Sequence, residues 1–149
     1  MHKYKVISFT TDGTNKFINI TKEAQDVVKE SEVKFGSVIV QSMHTTCAVI
    51  VNEHEDGLLL YDFIRTLEKI APSGKNVYYK HDDFKKRYQN KCDGECKNGH
   101  SHCKAIGLPV SQTLIIADGK LQLGQWQQIF FLELDRKRDR RVGILVQGE

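Results

Sequence analysis

No stretch of this chain approaches the roughly 20 consecutive apolar residues that a membrane-spanning helix needs. The opening MHKYKVISF is charged and strand-like, without the apolar core of a secretory signal. A cytoplasmic protein with no membrane partner is the expectation. Charge of one sign is lacking too: 22 basic and 19 acidic residues leave a formal net charge of +3, too balanced for a nucleic-acid-binding face. Cysteine is sparse, at four residues (Cys47, Cys92, Cys96 and Cys103), and without a secretory signal these read as metal ligands or free thiols rather than a disulfide framework. Internal repeats and low-complexity tracts are absent, and so are a glycine-rich phosphate loop and an aspartate-rich diphosphate motif.

What is present fits one domain over residues 1–149, long enough to bury roughly 70% of its unfolded surface. Tyr4 to Phe9 alternates as a strand and Lys16 to Ile20 reads as its hairpin partner across a turn-rich segment. Thr21 is placed to cap a helix with Ala24, Val27, Val28 and Val33 on its buried side, stopped by Gly36. Ser37 to Met43 and Thr46 to Val51 are β-branched runs that read as one long strand with an irregularity at His44. A second helix follows, with Leu59, Leu60, Phe63, Ile64, Leu67 and Ile70 at helical spacing, ended by Pro72-Ser73-Gly74. Residues 75–107 are polar and weakly patterned, as functional connections often are.

The most distinctive stretch is SQTLIIADGKLQLGQWQQI, from Ser111 to Ile129. Asp118-Gly119 between apolar runs is a tight-hairpin signal. Gly124 interrupts the return strand, which marks a bulge or a close backbone approach, and on local pattern Trp126 is a buried residue of a twisted hairpin. Further on, strand alternation puts Gln127, Ile129, Phe131 and Glu133 on one face and Trp126, Gln128, Phe130, Leu132 and Leu134 on the other. Glu133 in so apolar a run requires a partner, because an unpaired buried charge costs several kcal/mol. The final strand, Val142 to Gln147, follows a charged turn. Helices gathered on a mostly antiparallel mixed sheet, two of them here, make the α+β class.

The spacing Ser-x-x-Leu-x-Ile-x-x-Gly-x-x-x-x-Gly-x-Trp-Gln-x-Ile resembles the signature of the YjbQ family, described as secondary thiamine-phosphate synthases. The resemblance runs nearly the full length, through His44-Thr45-Thr46, Asn52-Glu53, Tyr79-x-His81, Ser101-His102-x-Lys104, Arg140-Arg141 and Gln147-Gly148-Glu149. It departs from the pattern at Gln125, where many relatives carry threonine, and at Thr46-Cys47 beside the histidine. The resemblance implies a homotrimer and a reaction joining a hydroxymethylpyrimidine diphosphate to a thiazole phosphate.

The resemblance also places His44, His81 and His102 at motif positions, where three neutral imidazoles with a water in the fourth place would make an open zinc site; magnesium would instead accompany diphosphate oxygens. Asp82 or Glu133 could orient a ligand imidazole, Glu53 could act as general base, and Glu133 and Gln127 complete the candidate catalytic set. Asn52, Lys104, Trp126, Arg140 and Arg141 are candidates for binding a small phosphate-bearing substrate, the cations stabilising the leaving diphosphate and Trp126 ordering heteroaromatic rings. A competing local zinc site is Cys92-x-x-x-Cys96-x-x-x-His100-x-His102-Cys103. Cys47 reads as a buried strand thiol, with nucleophile or metal neighbour as its functional alternative. Two other functions compete with the transferase: a metal-dependent hydrolase using Glu53, and a trimeric metal- or ligand-binding protein without turnover.

Overall fold

A computed structural model describes residues 1–91, 94 and 96–149. Two antiparallel sheets carry the fold. The larger has the order β1 (His2–Thr10), β8 (Asp139–Gly148), β3 (Gly36–Ser42), β5 (Ser111–Ala117), β6 (Lys120–Leu121), and the smaller has the order β2 (Lys16–Asn19), β7 (Gln127–Glu133), β4 (Cys47–Glu53). Helix α1 spans Thr21–Ser31, α2 spans Phe63–Ile70 after a π turn at Leu58–Asp62, and α3 spans Gly99–Ala105. No helix among the described residues is long and apolar enough to cross a membrane. The α+β class follows from these layers.

The small sheet is buried on both faces. On one side Ile129 and Phe131 of β7 and Val49 of β4 pack with Ala24, Val27 and Val28 of α1 and with the inner side of the large sheet, through Val38, Val40, Val142, Ile144 and Val146. On the other, Ala48, Leu132 and Leu134 meet Leu67 of α2 and Ala105 at the end of α3. The apolar run from Ile129 to Leu132 therefore needs no polar face, and its odd and even residues divide between the two cores as alternation requires. Removing any one such side chain from water is worth ~1.5–3 kcal/mol, so β7 is the central structural element.

Several local expectations change. The opening hairpin does not form: β1 pairs with β8 and β2 pairs with β7, because alternation specifies which side of a strand is buried but not which strand lies beside it. The runs around His44 are two strands in different sheets rather than one bent strand. Helix α1 ends at Ser31 with Glu32 left-handed (φ 62), five residues before the expected stop. Gly36 instead opens β3, where a Cβ would stand 2.1 Å from the Gln147 carbonyl oxygen. Residues 99–105 form a helix that apolar periodicity does not reveal, since its buried positions are Gly99, Ser101 and Lys104. The Asp118-Gly119 hairpin is present, with both residues at positive φ (51 and 70) and Ile116 opposite Leu121, the geometry of a primed two-residue turn.

Candidate functional site

The link from β3 to β4 crosses between the sheets, and His44 sits in that crossing. The Ser42 N–H donates to the Val110 carbonyl (2.9 Å), the Leu134 N–H donates to the Thr46 carbonyl (3.1 Å), and the His44 N–H donates to Ser42 Oγ (3.3 Å). The Arg141 N–H donates to His44 Nε2 at 2.8 Å. A neutral imidazole has one acceptor nitrogen, so this bond assigns the proton of the neutral ring to Nδ1. Burial, and then Arg140 and Arg141, lower the His44 pKa, which favours that neutral form.

Beneath the loop lies the partner that Glu133 requires. Arg140 donates Nε to Glu133 Oε2 and Nη2 to Oε1, each at 2.6 Å, a bidentate pair with side chains 5% and 0% exposed. Thr11 Oγ1 and the Asp135 N–H add bonds of 2.9 Å each to the carboxylate, and Arg140 Nη2 also reaches Thr46 Oγ1 at 3.0 Å. Cys47 points its thiol at Glu133 Oε1 (3.8 Å); burial and the Glu133 charge push its pKa up to about 12. A thiol that stays protonated is a poor nucleophile and metal ligand, so Cys47 is the structural residue.

A cavity of about 300 Å³ opens beside these groups, lined by His44, Thr45, Thr46, Asn98, Asp135, Arg138 and Arg140 among others. Asp135 accepts from Arg138 Nε (2.8 Å) and Asn98 Nδ2 (3.0 Å). Burial raises its pKa, but these two bonds outweigh burial and lower it on balance. The carboxylate fixes the Asn98 amide orientation and leaves Oδ1 as a buried acceptor with no hydrogen-bond partner among the described residues. A wider cleft of about 620 Å³ lies between Ser73–Asp83 and Lys97–His100, with Lys75, Asp82, Asp83 and Lys97 in its lining.

His81 and His102 do meet, with ring centroids 4.6 Å apart. Asp82 Oδ1 lies 3.1 Å from His81 Nδ1 and accepts the Gly99 N–H at 2.9 Å, which ties the 3₁₀ turn Lys80–Asp82 to the start of α3. A Cβ on Gly99 would fall 2.5 Å from Tyr79 Cβ, so glycine permits the close approach. Burial and then His81 lower the His102 pKa. Asp82 thus takes the orienting position that Glu133, held by Arg140, does not.

The remaining candidates divide. Lys104 is fully buried and ion-paired with Glu68 at 2.6 Å; it faces that carboxylate rather than solvent. Arg141 is exposed, while the guanidinium of Arg140 is engaged by Glu133 and Thr46. Asn52, Glu53, Trp126 and Gln127 gather at the far end of the small sheet, where Glu53 pairs with Gln127 and Cys47 pairs with Glu133. Seven residues of strand separate that end from the His44 end by ~20 Å. Gln127 closes a turn, its N–H donating to the Gly124 carbonyl (3.0 Å) and its Oε1 accepting the Gly124 N–H (2.8 Å). Trp126 stands on that turn 65% exposed, not buried in the hairpin as local pattern suggested. Of the local cysteine cluster, Cys92 lies outside the described residues, Cys103 is a free, exposed thiol, and Cys96 is disulfide-bonded. Asn98 and Asp135 carry no sequence signal of their own, and Arg138 lies in the charged turn that precedes the final strand.

The model of the family described as "UPF0047 protein YjbQ-like" matches residues 5–149. The chain belongs to the YjbQ family. Among YjbQ relatives, a UPF0047 protein of Archaeoglobus fulgidus is 39% identical over 127 residues, covering 85% of this chain and 87% of the relative. One from Methanocaldococcus jannaschii is 32% identical over 149 residues, covering 100% and 95%. A crystal structure of a YjbQ/UPF0047 protein from Clostridium acetobutylicum, described as uncharacterized, superposes with a TM-score of 0.76 at 34% identity, covering 95% of this chain and 99% of that one. A Sulfolobus solfataricus protein described as of unknown function gives 0.77 at 29% identity with full coverage of both chains.

Proposed function

We propose that this YjbQ protein is a thiamine-phosphate synthase-like transferase whose His44 cavity holds the diphosphate of a hydroxymethylpyrimidine diphosphate. The observation that carries the reading is the Arg141 N–H to His44 Nε2 bond, which leaves Nδ1–H as a donor on a cavity also lined by Arg138. In the reaction the methylene carbon–oxygen bond breaks, pyrophosphate leaves with the electron pair, and the thiazole nitrogen lone pair forms the new carbon–nitrogen bond. No proton need be removed, so the chemistry depends on stabilising the leaving diphosphate and ordering two rings. Arg138, the His44 Nδ1–H and the hydroxyl of Thr45 are the groups suited to the leaving group.

The metal the resemblance implies fits only in part. His81 and His102 supply two adjacent imidazoles, whereas the His44 acceptor nitrogen is occupied by Arg141. No group of three or more His, Cys, Asp or Glu side chains able to hold a metal occurs among the described residues. Zinc on the histidine pair would need a further ligand from substrate or a second subunit. Magnesium would arrive as part of the diphosphate substrate. The hydrolase alternative is less well supported, since Glu53 stands at the opposite end of β4 from His44. Formation of thiamine phosphate from the two precursors with magnesium, followed by chromatography, tests the proposal. Product from wild type and a ~10²-fold lower rate for Arg138→Ala are expected. Silence of the wild-type protein would sink the transferase and leave the binding-protein reading.

A further inference from the structure

The cleft of about 620 Å³ between Ser73–Asp83 and Lys97–His100 takes no part in holding the diphosphate, yet its lining charges are not matched. Its two acids are engaged. Asp82 Oδ1 accepts the Gly99 N–H (2.9 Å) and faces His81 Nδ1 (3.1 Å), while Asp83 Oδ2 lies 3.3 Å from Lys86 Nζ and accepts the Tyr78 hydroxyl at 3.3 Å. Its two lysines, Lys75 and Lys97, are exposed, and among the described residues neither ammonium has an ion-pair partner. Three rings border the same space. Tyr79 and His100 stand with ring centroids 6.4 Å apart and planes inclined by 59°, and Tyr78 is 67% exposed. Both tyrosine hydroxyls are tied down, Tyr78 to Asp83 and Tyr79 to the Pro72 carbonyl (2.9 Å).

We infer that this cleft binds the phosphate monoester of a small heteroaromatic ring, the ring against Tyr78 and the phosphate paired with Lys75 and Lys97, and that in the transferase it holds the thiazole phosphate acceptor. The second half rests on the transferase reading; the first half does not. Free ammonium groups in a lining whose acids are already engaged attract an anion, and aromatic side chains held in place take a flat ring by offset stacking. Size points the same way. Ligand pockets span roughly 300–1,000 Å³, so the His44 cavity, at about 300 Å³, is sized for one substrate rather than two, and the second needs separate room. The two spaces adjoin along Lys97–His100, with Asn98 lining the first and Lys97 and His100 lining the second. Donor and acceptor held there are neighbours before the carbon–nitrogen bond forms, which is the positioning that a two-substrate reaction needs.

The test uses the full-length protein without the pyrimidine substrate, so nothing turns over. Thiazole phosphate is titrated into the protein and followed by amide NMR. Shifts are expected at Tyr78, Tyr79, Asp83, Lys97 and His100, and saturating magnesium pyrophosphate is expected to leave them in place. The Lys75→Ala/Lys97→Ala variant, which changes only surface side chains, should bind at least ~10-fold more weakly, and so should Tyr78→Ala. Against wild type, the thiazole alcohol without phosphate and inorganic phosphate without a ring should each bind at least ~10-fold more weakly than thiazole phosphate. Shifts at Thr45, Thr46 and Arg138 instead, displacement by pyrophosphate, inorganic phosphate binding as tightly as the thiazole phosphate, or no binding would each overturn the inference. If thiazole phosphate binds in the cleft and the two precursors give no thiamine phosphate, the transferase fails and the heteroaromatic phosphate site stands; product formation with thiazole phosphate located in the His44 cavity gives the reverse.

Discussion

Substituting Glu133→Gln tests the buried centre of the fold most sharply. The replacement keeps the side-chain volume, removes the charge and turns one acceptor oxygen into an NH2 donor, so the buried Arg140 side chain loses its anionic partner and keeps at most one of the two 2.6 Å bonds. Breaking one partner out of a buried pair typically costs about 3–5 kcal/mol, because the remaining charge is desolvated without compensation. For a chain of this size that corresponds to a fall in melting temperature of about 6–20 °C. Urea denaturation followed by circular dichroism measures it. Arg140→Gln should cost a similar amount, and the double variant should cost at least ~1 kcal/mol less than the two singles together, since the pair is coupled. A loss below ~1 kcal/mol for Glu133→Gln, or strict additivity, would refute the assignment of Glu133 and Arg140 as a structural pair.

Three further outcomes follow from the same geometry. Burial would raise the Glu68 pKa, but hydrogen bonds from Lys104, Ser73 and Asn15 hold it at about 2 against 4.5 unperturbed. Its contribution to stability is complete above pH 4.5 and is lost as pH falls toward 2, at most ~3 kcal/mol and less because the side chain is one-third exposed; acid titration of stability for wild type and Glu68→Gln should show a shallower slope in the variant across that window, and equal slopes would contradict it. Iodoacetamide on the native protein should modify Cys103 and spare Cys47, read by peptide mass, with rapid labelling of Cys47 as the contrary result. Gly99→Ala should destabilise by about 1–3 kcal/mol through overpacking against Tyr79 and should shift the imidazole resonances of His81 and His102; unchanged spectra would show that this approach does not hold the histidine pair together.

Much of the fold was legible where one local rule decides the outcome. Asp118-Gly119 specifies its turn, the Ala24, Val27, Val28 stripe specifies the buried side of α1, and alternation divides β7 between two cores. A carboxylate inside IFFLEL demanded a cation, and Arg140 supplies it. Strand partners were not legible, since Lys16 to Asn19 carries nothing that distinguishes β7 from β1 as its neighbour. Helix α3 escaped because glycine, serine and a paired lysine fill its buried positions. The candidate site was half legible: the histidine motifs mark His44, His81 and His102, but the roles of Asn98, Asp135 and Arg138 arise from contacts between segments 37 and 3 residues apart along the chain. Trp126 carried both a buried-hairpin and a substrate-binding reading, and local pattern does not choose between them; the turn at Gly124 lifts it outward.

The central claim, that the diphosphate-binding chemistry lies at the His44 end of the small sheet, is tested most directly by amide NMR of the protein titrated with inorganic pyrophosphate and magnesium. Shifts concentrated at Thr45, Thr46, Asn98, Arg138 and Arg141, and lost in Arg138→Ala, are predicted. Shifts confined to Tyr78–Asp83 and Lys97, the lining of the wider cleft, would contradict the account and move the site there.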